Sequence, residues 1–266
     1  MIPYAFEYRR AASLADASAL LAKSPDAKLL AGGQTLIAAM KMRLAQPSEL
    51  IDISGLKELA FIRATESVIT IGAATTHFEV ANSRDVKRLI PALAELAESI
   101  GDPAVRYMGT LGGSLANNDP AADYPAAALA LGATIKTTRR EIAADGFFTG
   151  MFLTALEDGE IITEAAFPVP ERAGYAKIPN PASRYAMAGV FVAKTKSGVR
   201  VAVTGAAPCV FRVADMEAAL DKDFTPDAIA GIQVSADDMN SDIHGSAEYR
   251  AHLVTVMAKR AVAAAQ

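Results

Sequence analysis

Short apolar runs and helical periodicities alternate along most of the chain. Ser13-Leu14-Ala15-Asp16 reads as a capping box, with the serine hydroxyl and the aspartate three residues on satisfying free N–H groups. The helix it opens runs to about Lys23. Residues 28–31 then give a short buried strand, 36–44 a helix and 50–53 a second strand, which makes a β–glycine loop–α–β unit. Residues 59–63 and 68–73 pattern as paired strands around Thr65-Glu66-Ser67. Helical stretches follow near 77–82 and over 87–99, then an alanine-rich helix at 124–131 and strands at 133–138 and 160–167.

Pro168, Pro170, Pro179 and Pro181 mark a boundary. Beyond it, residues 190–195 and 199–205 flank Lys196-Ser197-Gly198 as an antiparallel hairpin, with helices at 213–220 and 248–265. The expected architecture is α+β. An N-terminal lobe covers 1–55, a second α/β lobe 56–170, and a small α+β domain with an antiparallel sheet and helices 171–266.

A chain of 266 residues holds two or three small domains, and 52% hydrophobic residues support a substantial core, although much of that content is alanine. The net charge of −4, the absence of tryptophan and an aromatic content of 6% argue against a nucleic-acid partner. One cysteine, Cys209, excludes an internal disulfide and multi-cysteine zinc or iron–sulfur sites on this chain. Residues 1–8 carry no charged-then-apolar signal pattern. No apolar stretch reaches the roughly 20 residues that a membrane span needs. A cytoplasmic protein with no membrane span is expected.

Two glycine-rich stretches carry the candidate chemistry: Ala31-Gly32-Gly33-Gln34-Thr35 and Gly109-Thr110-Leu111-Gly112-Gly113-Ser114. Each reads as a loop whose backbone N–H groups are free to converge on an anion, and two of them suggest a diphosphate held from both sides. A plain strand-to-helix turn at the first and a tight turn at the second are the alternatives. Neither is a G-x-G-x-x-G fingerprint or a P-loop. The second continues through Leu115-Ala116-Asn117-Asn118-Asp119-Pro120 to Asp123, supplying donors and acceptors for a polyhydroxylated chain beside the phosphates. His77 reads as a structural or cap residue. His244 and His252 lack a matching carboxylate pattern, and Cys209 reads as a small buried hydrophobe. With no nucleophile–base pair, neither a catalytic side chain nor a metal site is expected.

Those two stretches, with Asp119-Pro120, Asp123-Tyr124-Pro125 and a third block from Lys177 through Asn180-Pro181 to Tyr185-Ala186, resemble the FAD-binding medium subunit of the molybdenum hydroxylases, the family of carbon monoxide and xanthine dehydrogenases. The resemblance spans nearly the whole chain, in order. It implies a two-lobed FAD-binding domain of the vanillyl-alcohol oxidase/PCMH type and non-covalent FAD. Ala31, Gly32, Gly33, Gln34, Gly112 and Gly113 would hold the pyrophosphate with their backbone, and Thr35, Thr110 and Ser114 with their hydroxyls. Asn117 and Asp123 match positions that bind ribityl or ribose hydroxyls and the neighbouring phosphate; Asp123 also reads as a helix N-cap.

By the same resemblance, Ile161 and Ile162 pack on the cofactor and Lys177 approaches it. Tyr185 lies near the isoalloxazine face, and Ile100 covers part of the flavin. Gln34-Thr35 stands where relatives often carry histidine or serine, which leaves the side-chain bonding of Gln34 open. The implied function is electron transfer, with the chemistry belonging to the cofactor. The [2Fe–2S] centres would sit on a small partner subunit and molybdopterin on a large one, in a dimer of heterotrimers. A self-sufficient FAD oxidoreductase of the same fold and a non-catalytic nucleotide-binding module are the alternatives.

Overall fold

The computed structural model describes residues 2–266, so Met1, the first residue of the expected N-terminal lobe, lies outside the described residues. The chain opens with β1 (Glu7–Arg10), α1 (Leu14–Leu21), β2 (Lys28–Leu30), α2 (Leu36–Lys41) and β3 (Glu49–Asp52). The three strands form a parallel sheet in the order β1-β3-β2. Strand β1 was not expected: all four of its residues are exposed, so it has no apolar alternation to read. Ser13 caps α1 by accepting from the Asp16 N–H at 3.1 Å. The Asp16 carboxylate, however, accepts from the Ala12 N–H at 2.9 Å, one residue earlier than a capping box requires. Helix α2 stops at Lys41, short of the expected end, and Arg43 turns left-handed with φ 60°.

The next region holds β4 (Ile62–Ala64), β5 (Val68–Gly72), α3 (His77–Asn82), α4 (Arg84–Leu89), α5 (Pro91–Glu98), α6 (Pro103–Met108), α7 (Leu111–Asn117) and α8 (Tyr124–Leu131). It continues through β6 (Thr134–Thr137), β7 (Glu141–Ala143), β8 (Phe148–Gly150), β9 (Leu153–Thr154) and β10 (Ile162–Pro168). Five of these strands make an antiparallel sheet, β4-β5-β10-β6-β7, and β8 pairs with β9. The single helix expected over 87–99 is two helices. Pro91 has no N–H to continue α4, and it opens α5 as a first-turn proline. Every residue of α8 is buried between this region and the following sheet, the pattern of a helix that is apolar all round.

The remaining strands β11 (Arg172–Pro179), β12 (Ala186–Thr195), β13 (Gly198–Thr204) and β14 (Phe211–Arg212) form an antiparallel sheet in sequence order, with α9 (Ala214–Lys222) and α10 (Ala247–Ala264) following. The expected hairpin is β12–β13, closed where Thr195 pairs with Gly198. Helix α10 packs on β11 and β12, and the chain end returns to the sheet: Ala173 and Gln266 exchange two backbone hydrogen bonds of 3.0 and 3.1 Å. Buried Arg250 ties α10 to the carbonyls of Met187 (2.6 Å) and Gly205 (3.0 Å) and to Asp242 (2.7 Å). Among the described residues no helix is long and apolar enough to cross a membrane.

Candidate functional site

A cavity of about 690 Å³ lies where the parallel sheet, the α6–α7 segment and the β11–β12 loop meet. Its wall contains Ala31, Gly32, Gly33, Gln34, Thr35, Ile100, Thr110, Gly112, Gly113, Ser114, Asn117, Asp123, Ile161, Ile162 and Tyr185. Of the residues the sequence singled out, Lys177 alone is not on that wall.

The stretch after β2 is an open cradle. Gly33 takes φ +72°, a left-handed conformation that turns the chain from the strand into α2. The N–H groups of Gly32, Gly33, Gln34, Thr35 and Leu36 donate to no acceptor among the described residues. The amide of Gln34 folds back, donating to the Gly32 carbonyl at 3.4 Å, and leaves the cradle unobstructed. The Thr35 side chain makes no capping bond. None of these five residues is buried, so their amides are free to meet an acceptor-rich ligand.

The stretch from Gly109 to Ser114 is different, and it corrects the expectation of a second backbone cradle. It is not a loop: Thr110 is the N-cap of α7, accepting from the Gly113 N–H at 3.1 Å. Leu111 donates to the Thr75 carbonyl (3.0 Å), Gly112 to that of Ala73 (2.8 Å) and Ser114 to that of Thr110 (3.0 Å). The protein has therefore used these amides. What α7 offers the cavity is side chains: the Ser114 hydroxyl and the Asn117 amide have no partner among the described residues. The two glycine stretches also touch directly, because a Cβ on Gly32 would overlap the Met108 carbonyl oxygen and crowd Gly109.

Asp123 does not cap α8, which corrects that reading; its side chain makes no capping bond. Its Oδ1 instead accepts from the Tyr175 hydroxyl and from Lys177 Nζ at 2.8 Å, and Lys177 also donates to the Ser99 carbonyl at 3.1 Å. Burial pushes the Asp123 pKa up, against the opposing pull of Lys177 and Tyr175. Lys177 thus stands behind Asp123 rather than facing the cavity. The C-terminal sheet fixes the neighbouring backbone as well. Thr204 Oγ1 reaches the carbonyls of Pro120 (3.0 Å) and Ala122 (2.6 Å), and Gly205 N–H donates to Pro120 at 2.8 Å.

Ile100, Ile161 and Ile162 form an apolar stretch of the wall. Arg106 holds the Ile100 carbonyl at 3.0 Å, and Thr138 brackets Ile161 through two bonds of 2.8 and 3.2 Å. Glu160, just before the isoleucines, is gripped by Arg140, Thr137 and the Glu157 N–H. The Arg140 hydrogen bonds lead in holding its pKa down to about 2. Tyr185 stands half-exposed at the mouth beside Arg184, which has φ 62°. His77, Glu160, Ser183 and Arg184 also line the cavity without having been selected from the sequence, as does Asp119 of the run that follows the second glycine stretch. His77 lies on the wall although it reads as an ordinary helix-start residue. Cys209 is half-buried and accepts a weak bond from Asn118. Among the described residues no group of histidine, cysteine and carboxylate side chains could hold a metal ion.

Residues 4–170 match the family model described as the FAD binding domain in molybdopterin dehydrogenase, and residues 175–265 that of the CO dehydrogenase flavoprotein C-terminal domain. The carbon monoxide dehydrogenase medium chain of Hydrogenophaga pseudoflava is 38% identical over 282 residues, covering 100% of this chain and 98% of that one. The nicotine 6-hydroxylase medium subunit of Paenarthrobacter nicotinovorans is 37% identical, with coverage of 97% and 96%. A solved carbon monoxide dehydrogenase from Hydrogenophaga pseudoflava that lacks the Mo-pyranopterin moiety of its cofactor superposes with a TM-score of 0.89 at 39% identity, over 99% of this chain and 98% of that one. The chain belongs to the family of FAD-binding medium subunits of molybdenum hydroxylases, of the carbon monoxide and xanthine dehydrogenase type.

Proposed function

We propose that this chain is the FAD-carrying electron-transfer subunit of a multi-subunit molybdenum hydroxylase. One observation carries the reading: five consecutive unpartnered amides, from Gly32 to Leu36, open on a cavity that also carries an apolar stretch formed by Ile100, Ile161 and Ile162. That pairing suits a ligand with an anionic diphosphate and an apolar ring system, and the residues present fit FAD. When bound, FAD supplies the chemistry of accepting electrons and passing them to an external acceptor. The chain binds and orients it and limits water on the apolar side.

Under this proposal the Ala31–Thr35 stretch holds the diphosphate through the backbone. Thr110, Ser114 and Asn117 add side-chain hydrogen bonds, with Gly112 and Gly113 serving as the close-packed floor. Asp123 takes a cofactor hydroxyl, and Lys177 keeps Asp123 in place. Ile100, Ile161, Ile162 and Tyr185 bound the ring. The two lobes, 1–55 and 56–170, would form a domain of the vanillyl-alcohol oxidase/PCMH type, with 171–266 as the C-terminal domain. The iron–sulfur centres and molybdopterin belong to a small and a large partner, assembled as a cytoplasmic dimer of heterotrimers. The self-sufficient oxidoreductase is disfavoured because the relatives that match nearly the whole chain are medium chains or subunits of larger enzymes.

The visible spectrum of the purified chain tests the proposal. Flavin bands that acid releases without a covalent link, together with co-purification of both partners, are the expected result. A colourless chain that takes up no added FAD, or a chain that oxidises a substrate alone, would overturn it.

A further inference from the structure

Two buried polar atoms near the cradle have no partner: Nδ1 of His77 and the hydroxyl of Tyr124. His77 is 6% exposed and Tyr124 fully buried, and their rings lie 5.3 Å apart at 47°. His77 is also part of the cavity wall. Its Nε2 lies against Gly109, where a Cβ would stand 2.6 Å away, and Gly109 adjoins the point at which Met108 meets Gly32. The imidazole therefore sits at the seam between the two glycine stretches, beside the unpartnered amides. Burial, and secondarily the charge of Arg106, lower its pKa to about 4, so the ring is neutral at ordinary pH.

A neutral imidazole has one donor and one acceptor nitrogen, and a hydrogen bond to one fixes the role of the other. Nδ1 is buried with no acceptor in reach, so the proton of the neutral ring belongs on Nε2, the nitrogen that lies against Gly109. We propose that His77 is a binding residue for the anionic diphosphate of the cofactor, donating Nε2–H to it. The arrangement adds a donor to the cradle without adding a cation. Because it places no positive charge on the diphosphate, the affinity it contributes is insensitive to pH above the histidine titration. The inference rests on the FAD reading above and adds a residue that the glycine stretches alone do not supply.

The test uses the full-length chain stripped of flavin. FAD is titrated by fluorescence quenching into the wild type, His77→Gln and His77→Leu, with circular dichroism confirming the fold of each. His77→Leu should weaken FAD binding roughly tenfold to a hundredfold, as expected for loss of one hydrogen bond to an anion, while His77→Gln retains most of the affinity. In parallel, ¹⁵N spectra of histidine-labelled, FAD-loaded wild type should show the Nε2–H tautomer for His77, which His77→Gln assigns among only three histidines. Undiminished FAD affinity in a folded His77→Leu, or an Nδ1–H tautomer or imidazolium in the wild type, would overturn the inference. Failure of the wild type itself to bind FAD would instead overturn the function on which it rests.

Discussion

Gly32 and Met108 meet backbone to backbone: the Met108 carbonyl oxygen occupies the place where any side chain on Gly32 would begin. The parallel lobe and the α6–α7 segment are thus in direct contact at the floor of the cavity. Gly32→Ala should push them apart, at about 1–3 kcal/mol of stability, the usual range for overpacking. The purified variant should lose most of its bound flavin, read from its absorbance ratio, and show a lower midpoint in urea.

The adjacent Gly33 is constrained by its own backbone rather than by a neighbour's. At φ +72°, Gly33→Ala should cost roughly 1–2 kcal/mol, and Gly33→Asn less, because asparagine tolerates the left-handed region better. Urea unfolding of the three proteins should rank them glycine, asparagine, alanine. Equal midpoints for the two substitutions would show that the turn relaxes.

Removing the charge of Asp123 leaves Lys177 buried with only the Ser99 carbonyl. Asp123→Asn should therefore destabilise by about 3–5 kcal/mol, as happens when one partner of a buried pair is lost. Adding Lys177→Met should recover much of that, a coupling that a double-mutant cycle in urea measures. If the two losses simply add, the pair is not the unit that holds this wall.

Acid should act through Glu160. Its folded pKa, about 2, lies below the ordinary 4.5, so its contribution is fully present above pH 4.5 and fades as pH falls toward 2. Between pH 5 and pH 3 the melting temperature of the wild type should fall more steeply than that of Glu160→Gln. The variant should start from a lower value at neutral pH. Parallel melting curves would show that the Arg140 contact contributes nothing.

The sequence disclosed the elements with a buried face: the helix at Tyr124–Leu131, the β12–β13 hairpin and strand β3 fall where apolar periodicity places them, whereas β2, expected to be buried, has an exposed Lys28 and half-buried leucines. It was silent on β1, an exposed edge strand that pairs with β3 through its backbone and through the polar contacts of Tyr8 with Asp52 and Arg9 with Glu49. It was misleading at Gly112-Gly113, where low helix propensity suggests a loop. The Thr110 cap and the bonds from Leu111 and Gly112 to the β5–α3 turn outweigh that propensity. Both glycine stretches were legible as parts of one cavity, but not the division of labour between them. That division depends on which amides find partners far away in sequence, such as Ala73 for Gly112. Lys177 was placed one layer too near the cavity for the same reason, since its partners Asp123 and Ser99 lie 54 and 78 residues away.

The anchoring of the Pro120–Asp123 wall by Thr204, Tyr175 and Lys177 bears on when the cavity can exist during synthesis. One side of it is set by strands that come 52 to 84 residues later in the sequence, and the sheet they belong to is closed by Gln266 at Ala173. A nascent chain has the whole open cradle by residue 36, yet lacks the scaffold for Asp123 until β13 has emerged. A chain that ends before β13 would lack the hydrogen bonds that hold the Pro120–Asp123 wall, so the open cradle alone is not a finished site.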